Sequence, residues 1–333
     1  MTSRDLIKNI IAGKSTSRCG FWMGNPHEET WPILRKFFGV KTNDEVRIIL
    51  KDDLIWLFPG KKYDAPDGAE QWPNPRKGEG LAADGCFSEI EQVSELESYP
   101  WPKAEYFDFT DDIKKLKDSG DIYRASGLWS PFFHHVAYMF GMEEYFIKMF
   151  TAPNVVHEVT RRTVSHYLAG TERFFQESGD EVDAYFFGND FGTQLDLLVG
   201  PDQFEEFIFP YFKQLTDLAH KYNKHVFLHS CGSIYKVIPR LIDLGVEVLH
   251  PLQAKAANMN ADTLKQFKGK ITFFGGIDTQ DLLVNGTPQQ IRDEVHRVID
   301  ILGPQLIISP SHEALLPNVP PENVLAMSEA VFS

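Results

Sequence analysis

The sequence predicts an α/β protein of the eight-stranded (β/α)8 barrel type, a TIM barrel with an added helix at its amino end and a long inserted loop. Three observations predict it. From about residue 110 onward, apolar runs of strand length alternate with helical patterns, the arrangement that sets parallel strands inside and right-handed crossover helices outside. The runs number eight when the less regular amino-terminal third is included: 18–24, 46–57, 121–127, 182–188, 225–229, 246–250, 271–276 and 305–309. The runs also end in polar residues, Asn189 and Asp190, His229 and Cys231, His250 and Gln253, Asp278, Ser311 and His312, and the carboxyl ends of barrel strands are where chemistry sits. An open doubly wound sheet is the alternative, but no G-x-G-x-x-G follows the first run and no phosphate loop occurs. The whole chain, 1–333, reads as one barrel domain.

In chain order, residues 3–13 form an amphipathic pattern, with Ser3 as the expected N-cap and Leu6, Ile10 and Ile11 at helical spacing before Gly13. This helix is expected to pack on the outside of the barrel. Cys19-Gly-Phe-Trp-Met-Gly24 reads as a strand, Asn25-Pro-His-Glu-Glu29 as a loop and Thr30 to Phe38 as a helix. Glu45 to Phe58, rich in Ile, Leu and Val around Asp52-Asp53, suggests a strand or hairpin. Gly60 to Gly85 is dense in Pro, Gly, Lys and Asp and reads as a binding loop or lid, with disorder as the competing reading. Ser94 to Phe109 is a surface traverse that its prolines keep from being helical. The regular alternation then begins, with long helices up to about Gln176, Pro201 to Tyr222 and Pro288 to Leu302, and a last helix from Pro321.

Composition excludes several classes. A net charge of -14 with no Lys/Arg cluster argues against nucleic acid as a partner. Cys19, Cys86 and Cys231 are far apart without C-x-x-C, so neither a disulfide framework nor a zinc ribbon is expected, and a cytoplasmic setting fits. The amino terminus has no apolar core followed by a cleavage site, and no run is long enough to cross a bilayer. An acidic surface is compatible with a monomer or a homodimer.

The stretch His225-Val-Phe-Leu-His-Ser-Cys-Gly232 carries the chemistry. Side chains alternate along a strand, so His229 and Cys231 point the same way if the extended conformation persists through Ser230. Imidazole and thiolate are ligands that zinc prefers, and Gly232 lets the backbone turn away after them. A catalytic zinc needs three protein ligands, so the pair alone is insufficient, and packing or hydrogen bonding is the plainer reading of each residue. Asp278 is equally suited to capping the next segment, Asn189 to a local turn and His250 to a satisfied core position.

Phe227-Leu-His-Ser-Cys-Gly232, Phe273-Phe-Gly-Gly-Ile-Asp278, Ser309-Pro-Ser-His312 and Pro320-Pro-Glu-Asn-Val324, with Asn189-Asp-Phe-Gly192 and Asn25-Pro-His-Glu-Glu-Thr30, resemble the uroporphyrinogen decarboxylase superfamily, on the branch that includes corrinoid-dependent methyltransferases. The resemblance spans nearly the whole chain. It implies a zinc held by His229 and Cys231, with His312 near the last strand in place of the Cys that the family carries there. It further implies transfer of a methyl group from a small methylated donor, such as a methoxylated aromatic, to cobalt of a corrinoid on a separate carrier protein. On that reading Asp190, Asp278 and Asn189 position the leaving group or supply its proton, and Trp22, Phe187, Trp129, His27 and Gln253 are the candidates to line a substrate pocket, although barrel aromatics are often plain core. The alternatives are uroporphyrinogen decarboxylase itself, in haem biosynthesis, and a corrinoid- or tetrapyrrole-binding protein without catalysis. The decarboxylase needs clustered cations for its substrate carboxylates, and the corresponding amino-terminal stretch, Ser17-Arg-Cys-Gly-Phe-Trp-Met-Gly24, offers one arginine, Arg18, while Phe87-Ser-Glu89 is the nearest counterpart of its aspartate stretch.

Overall fold

Apolar runs covered on both faces become the strands of a nearly closed barrel in the computed structural model, which describes residues 1–73, 75, 76, 78 and 83–333. The strands are β1 (Gly20–Phe21), β2 (Leu54–Leu57), β3 (Tyr123–Ser126), β4 (Ala184–Gly188), β5 (His225–His229), β6 (Val248–His250), β7 (Thr272–Ile277) and β8 (Leu306–Pro310). The helices are α1 (Ser3–Ile11), α2 (Thr30–Phe38), α3 (Asn43–Leu50), α4 (Thr110–Asp118), α5 (Phe132–Phe140), α6 (Met142–Thr151) and α7 (Pro153–Ser178). They continue with α8 (Pro201–Gln203), α9 (Phe209–Lys221), α10 (Ile238–Asp243), α11 (Ala261–Leu264), α12 (Leu282–Asn285), α13 (Pro288–Leu302) and α14 (Pro321–Phe332). The strands are hydrogen-bonded in the order β1-β8-β7-β6-β5-β4-β3-β2, and every ladder is parallel. Gly188, His229 and His250 pair in register across β4, β5 and β6, which brings two histidines of the rim to one height.

The ladder order leaves β1 beside β2 at the closing seam, and side chains complete it. The Asp53 amide donates to the Phe21 carbonyl at 2.9 Å, while the Asp53 and Asp52 carboxylates accept from the amides of Phe21 at 2.9 Å and Met23 at 2.7 Å. Both carboxylates are buried, and each holds a cation: Arg18 chelates Asp53 at 2.6 and 2.8 Å, and Arg47 reaches Asp52 at 2.6 Å. The Ser3 hydroxyl donates to Asp53 at 2.8 Å.

Two cores result. Between sheet and helices lies the larger one, while Trp22, Trp56, Tyr123, Phe186, Phe227 and Phe274 fill the barrel axis. The amino-terminal helix differs from expectation. Leu6, Ile7 and Ile10 of α1 belong to the axial core, so the helix plugs the amino-terminal mouth of the barrel rather than packing outside it. Thr2, not Ser3, is its N-cap, accepting from the Asp5 amide at 3.2 Å, which frees Ser3 for the seam.

The second strand was expected to begin near 46, but 43–50 is helical. Thr42 and Glu45 form a capping box, Val46 and Leu50 at i and i+4 are buried, and Ile48 between them is 74% exposed. One buried stripe at helical period overrides the β-branched composition. The long 201–222 helix contains a wide π turn at Phe204–Ile208, just before Pro210, which has no amide to donate. In the Gly60–Gly85 stretch, residues 74, 77 and 79–82 lie outside the described residues. The described part packs on α5 and α7 through Trp72, whose ring lies 4.0 Å from that of His135 and 5.2 Å from that of His166. Ser94 to Phe109 is irregular around Pro100 and Pro102 as expected, with short 3-10 turns at Val93–Ser98 and Ala104–Tyr106. Among the described residues, no helix is long and apolar enough to cross a membrane.

Two predictions concern the seam. Asp53→Ala would strand the Arg18 guanidinium and the Phe21 amide, and urea denaturation is expected to show a loss of about 3 kcal/mol or more; a loss below about 1 kcal/mol would mean that other contacts close the barrel. Burial lifts the Asp52 carboxyl from 3.8 to about 6 despite the opposing pull of Arg47. A carboxyl raised in the folded state favours folding most at low pH, and that contribution is lost as pH climbs from about 4 to 6. The urea midpoint of the wild type, measured against that of Asp52→Asn, should therefore fall across this window and be level above it.

Candidate functional site

Parallel pairing brings the polar carboxyl ends of β4, β5 and β8 to one rim, and the atoms that converge there centre on one nitrogen. His229 Nε2 lies 3.4 Å from Cys231 Sγ and 3.4 Å from Asp190 Oδ1. These ligand atoms of Asp190, His229 and Cys231 all lie within 4.8 Å of one another. Tetrahedral zinc, with bonds of roughly 2.0–2.3 Å, sets neighbouring ligand atoms about 3.4–3.6 Å apart. The His, Cys and Asp donor set therefore fits zinc in chemistry, and the two distances from His229 Nε2 fit it in spacing. The backbone builds this geometry: the Cys231 amide donates to Asp190 Oδ1 at 2.8 Å and the Gly232 amide to Gln253 Oε1 at 2.6 Å, tying the loops after β4, β5 and β6 together. Gly232 has φ +86°, and a Cβ there would lie 2.2 Å from the Gly192 carbonyl oxygen, so the turn that presents Cys231 requires glycine.

The opposite nitrogen of His229 is also engaged. Its Nδ1 lies 2.9 Å from His250 Nδ1 and 3.5 Å from Glu313 Oε2, the kind of outer contact that fixes a ligating imidazole's tautomer and orientation. Burial opposes charge on His229, yet Cys231, Glu313 and Asp190 outweigh it and raise its pKa well above the ordinary value. Burial, then the charges of His229 and His312, push His250 well below its ordinary value. Burial likewise raises the Cys231 thiol against the pull of His229. Asp190 is held below the usual carboxylate range because its bonds to His229 and the Cys231 amide outweigh its burial. The site is thus an imidazole flanked by anionic groups, with a neutral histidine beneath it.

A cavity of about 500 Å³ opens beside Asp190, walled by Trp72, Trp129, His134, Tyr138 and Gly188. Trp129 lies with its ring 5.4 Å from that of His229, against Gly188, where a Cβ would come within 1.9 Å of the indole. No Arg or Lys is among the described lining residues.

The other residues singled out from sequence divide. His312 is not within the three-ligand group: its Nδ1 accepts from the Ala314 amide at 3.1 Å, its side chain is 44% exposed, and its ring is 6.1 Å from that of His229. Asp190 takes the third corner instead. Asp278 accepts from the amides of Gln280 and Leu282, both at 3.0 Å, the capping alternative. Asn189 is buried, with Oδ1 on the Phe133 amide and Nδ2 on the Ser130 carbonyl, and holds the loop before α5. Phe187 points outward from β4 onto Phe212 of α9, because its inward neighbours are Phe186 and Gly188. Trp22 is wholly buried on the barrel axis, and Gln253 serves the Gly232 amide. His27 stands about half exposed in the loop after β1, 3.8 Å from Glu29. Of the expected pocket aromatics, only Trp129 lines the cavity. Arg18 is committed to Asp53 at the seam, away from the rim.

Sequence reasoning missed Glu313, His134 and Trp72. Glu313 directly follows the expected His312 and His134 opens the helix after β3, so rim position was an available signal for both; Trp72, in an irregular loop, offered none. For Gly232→Ala, thermal denaturation should show a loss of about 2 kcal/mol from the forced left-handed conformation alone, and unchanged stability would contradict the close approach to Gly192.

The profile of the family described as Uroporphyrinogen decarboxylase (URO-D) matches residues 87–333. A solved methyltransferase from Methanosarcina mazei is similar over 100% of this chain and 98% of its own, with a TM-score of 0.73 and 14% identity, a likeness of fold. A putative vitamin-B12 independent methionine synthase from Listeria monocytogenes aligns over 95% of this chain and 98% of its own at 12% identity, with a TM-score of 0.45. No curated protein matches the chain.

Proposed function

The chain belongs to the uroporphyrinogen decarboxylase family, and we propose that within it this protein is a zinc-dependent methyltransferase, moving a methyl group from a small methylated donor to cobalt of a corrinoid on a separate carrier protein. The observation that carries this reading is the convergence of Asp190, His229 and Cys231 on one point at the mouth of an aromatic cavity. Those residues would hold the metal, which when bound supplies Lewis-acid polarisation of the heteroatom that bears the methyl.

The chain's own residues do the rest. His250 and Glu313 orient His229 from behind, so that Nε2 faces Cys231 and Asp190. Trp129 and Trp72 offer flat apolar walls that suit a methoxylated aromatic and keep water from the donor. His134, on the same wall, stands where it can hydrogen-bond the departing heteroatom. The carrier approaches from the carboxyl-terminal face, on which the cavity opens.

The decarboxylase alternative fares worse on one observation. A substrate rich in carboxylates needs several cations to meet it; the described lining of the cavity has none, Arg76 reaches its wall by stacking 3.9 Å over the Tyr138 ring, and Arg18 is spent on the barrel seam.

Protein purified without a metal-affinity tag is expected to carry close to one zinc per chain by elemental analysis. Cys231→Ala and Asp190→Asn should each weaken zinc binding more than the roughly 10–100-fold typical of losing an outer contact, and His312→Ala should leave it within about tenfold. Zinc retained by Cys231→Ala would place the metal elsewhere. With free cob(I)alamin and a panel of methoxylated aromatics, methylcobalamin absorbance should grow with the wild type, and Trp129→Ala should raise KM more than it lowers kcat. Turnover of uroporphyrinogen instead would overturn the assignment, and cofactor binding without turnover would favour a receptor.

A further inference from the structure

Parallel strands are normally covered on both faces, and one strand of this barrel is not. β1, β3, β4, β6, β7 and β8 are buried throughout, and β5 is buried beyond its first residue. In β2, Leu54 and Trp56 fill the barrel axis, while Ile55 and Leu57 face outward and stay only half-buried. Over them runs a groove of about 980 Å³ between α3 and α4, with Ile48, Phe58 and Ile122 as further apolar walls. Ile48 is 74% exposed. Ile49 of α3 is exposed too, as are Ile33 and Phe37 of α2, which packs on α3. Large apolar side chains left exposed on two packed helices, beside an uncovered strand, mark an interaction surface.

Charge says what covers it. The chain carries a net charge of -14, yet this groove is lined by four carboxylates and four cationic side chains. Arg47 holds Asp52, Asp112 accepts from the Gly60 amide, and Asp118 is paired with Lys114. That leaves Asp44 against Lys51, Lys61 and Lys115, none of which has an ion-pair partner among the described residues; Lys51 rests over the Phe332 ring at 4.7 Å. The groove therefore suits an apolar stripe with acid at one end. α3 is itself such a stripe: Asp44 in its first turn, Ile48 in its middle and Lys51 capping its end all line the groove. The spacing i, i+4, i+7 is one helical face. Ile48 stands at the centre of the span, so two such stripes laid antiparallel bring apolar to apolar and acid to base at both ends.

We propose that two copies of this chain form a two-fold symmetric dimer through this groove, α3 of each lying antiparallel to α3 of the other, so that Ile48 covers the open β2 face of its partner and Asp44 pairs with the partner's Lys51. A two-fold interface must be self-complementary, one patch serving both copies. Two acidic molecules repel over most of their surface, and they approach at least electrostatic cost where each offers spare lysines. The groove shares no lining residue with the cavity beside Asp190. The inference is therefore independent of methyl transfer: a failed metal or activity assay leaves it standing.

Sedimentation equilibrium of the full chain at micromolar concentrations tests it, and a dimer is expected. Ile48→Lys should yield a monomer whose circular dichroism matches that of the wild type, because the side chain it replaces is exposed. Asp44→Lys and Lys51→Asp each set like charges face to face at two places, and each should raise the dissociation constant by about tenfold or more. Mixed in equal amounts, these two variants regain opposite charges at both places, so a heterodimer should form at concentrations where neither variant dimerises alone. A monomeric wild type would leave the β2 face to a different protein and overturn the proposal. A dimer unaffected by Ile48→Lys, or a mixture no more dimeric than its components, would overturn it equally.

Discussion

Closing a parallel sheet on itself is the constraint on which the rest of this molecule depends. Seven of the eight strand junctions are backbone ladders. At the eighth, between β1 and β2, two buried aspartates stand in, taking the amides of Phe21 and Met23. Burying two adjacent carboxylates is expensive unless each is paired and hydrogen-bonded. Arg18 and Arg47 provide the pairing, and α1 covers the axis below. Arg18, the one arginine of the Ser17–Gly24 stretch, is thus used for closure rather than offered to an anionic substrate.

Once the barrel is closed, register does the work of site assembly. In-register pairing of β4, β5 and β6 sets His229 beside His250 at one height, and the loops from β4 and β8 add Asp190 and Glu313 on either side. The consequence is electrostatic. Two buried imidazoles in contact cannot both be charged, and the anionic neighbours of His229 decide which one takes the proton. The same packing gives His229 two distinct nitrogens, Nε2 toward Cys231 and Asp190 and Nδ1 toward His250 and Glu313. An imidazole oriented in this way presents Nε2 to a metal once the cation displaces the proton there.

Within the site, legibility followed chain distance. His229 and Cys231 are two residues apart on a strand, so alternation alone placed them on one side. Asp190 was visible as a rim residue, but its place at the third corner comes from the Cys231 amide that holds its carboxylate, a bond between different strands' loops. His312 had the right strand and the right chemistry, but its ring stands 6.1 Å from that of His229, outside the group formed by Asp190, His229 and Cys231. Asn189 and Asp278 show a competition with the backbone: a polar side chain beside unpaired backbone amides is taken by them first.

The sequence by itself determined the fold class, because alternating buried strands and amphipathic helices are a one-dimensional pattern with a single efficient closure. It also determined the strands from β3 to β8 to within a few residues and the His229 and Cys231 pair. It misjudged 43–50, where β-branched residues sit on a helical stripe, and the place of α1, whose apolar face could equally have covered the outside or the barrel mouth. Only the tertiary structure decided the seam, the third corner of the site, the cavity wall of Trp72 and Trp129, and the partner of each histidine nitrogen. Each of these is a contact between residues far apart in the chain, and such contacts exist only once the barrel has closed and set their distances.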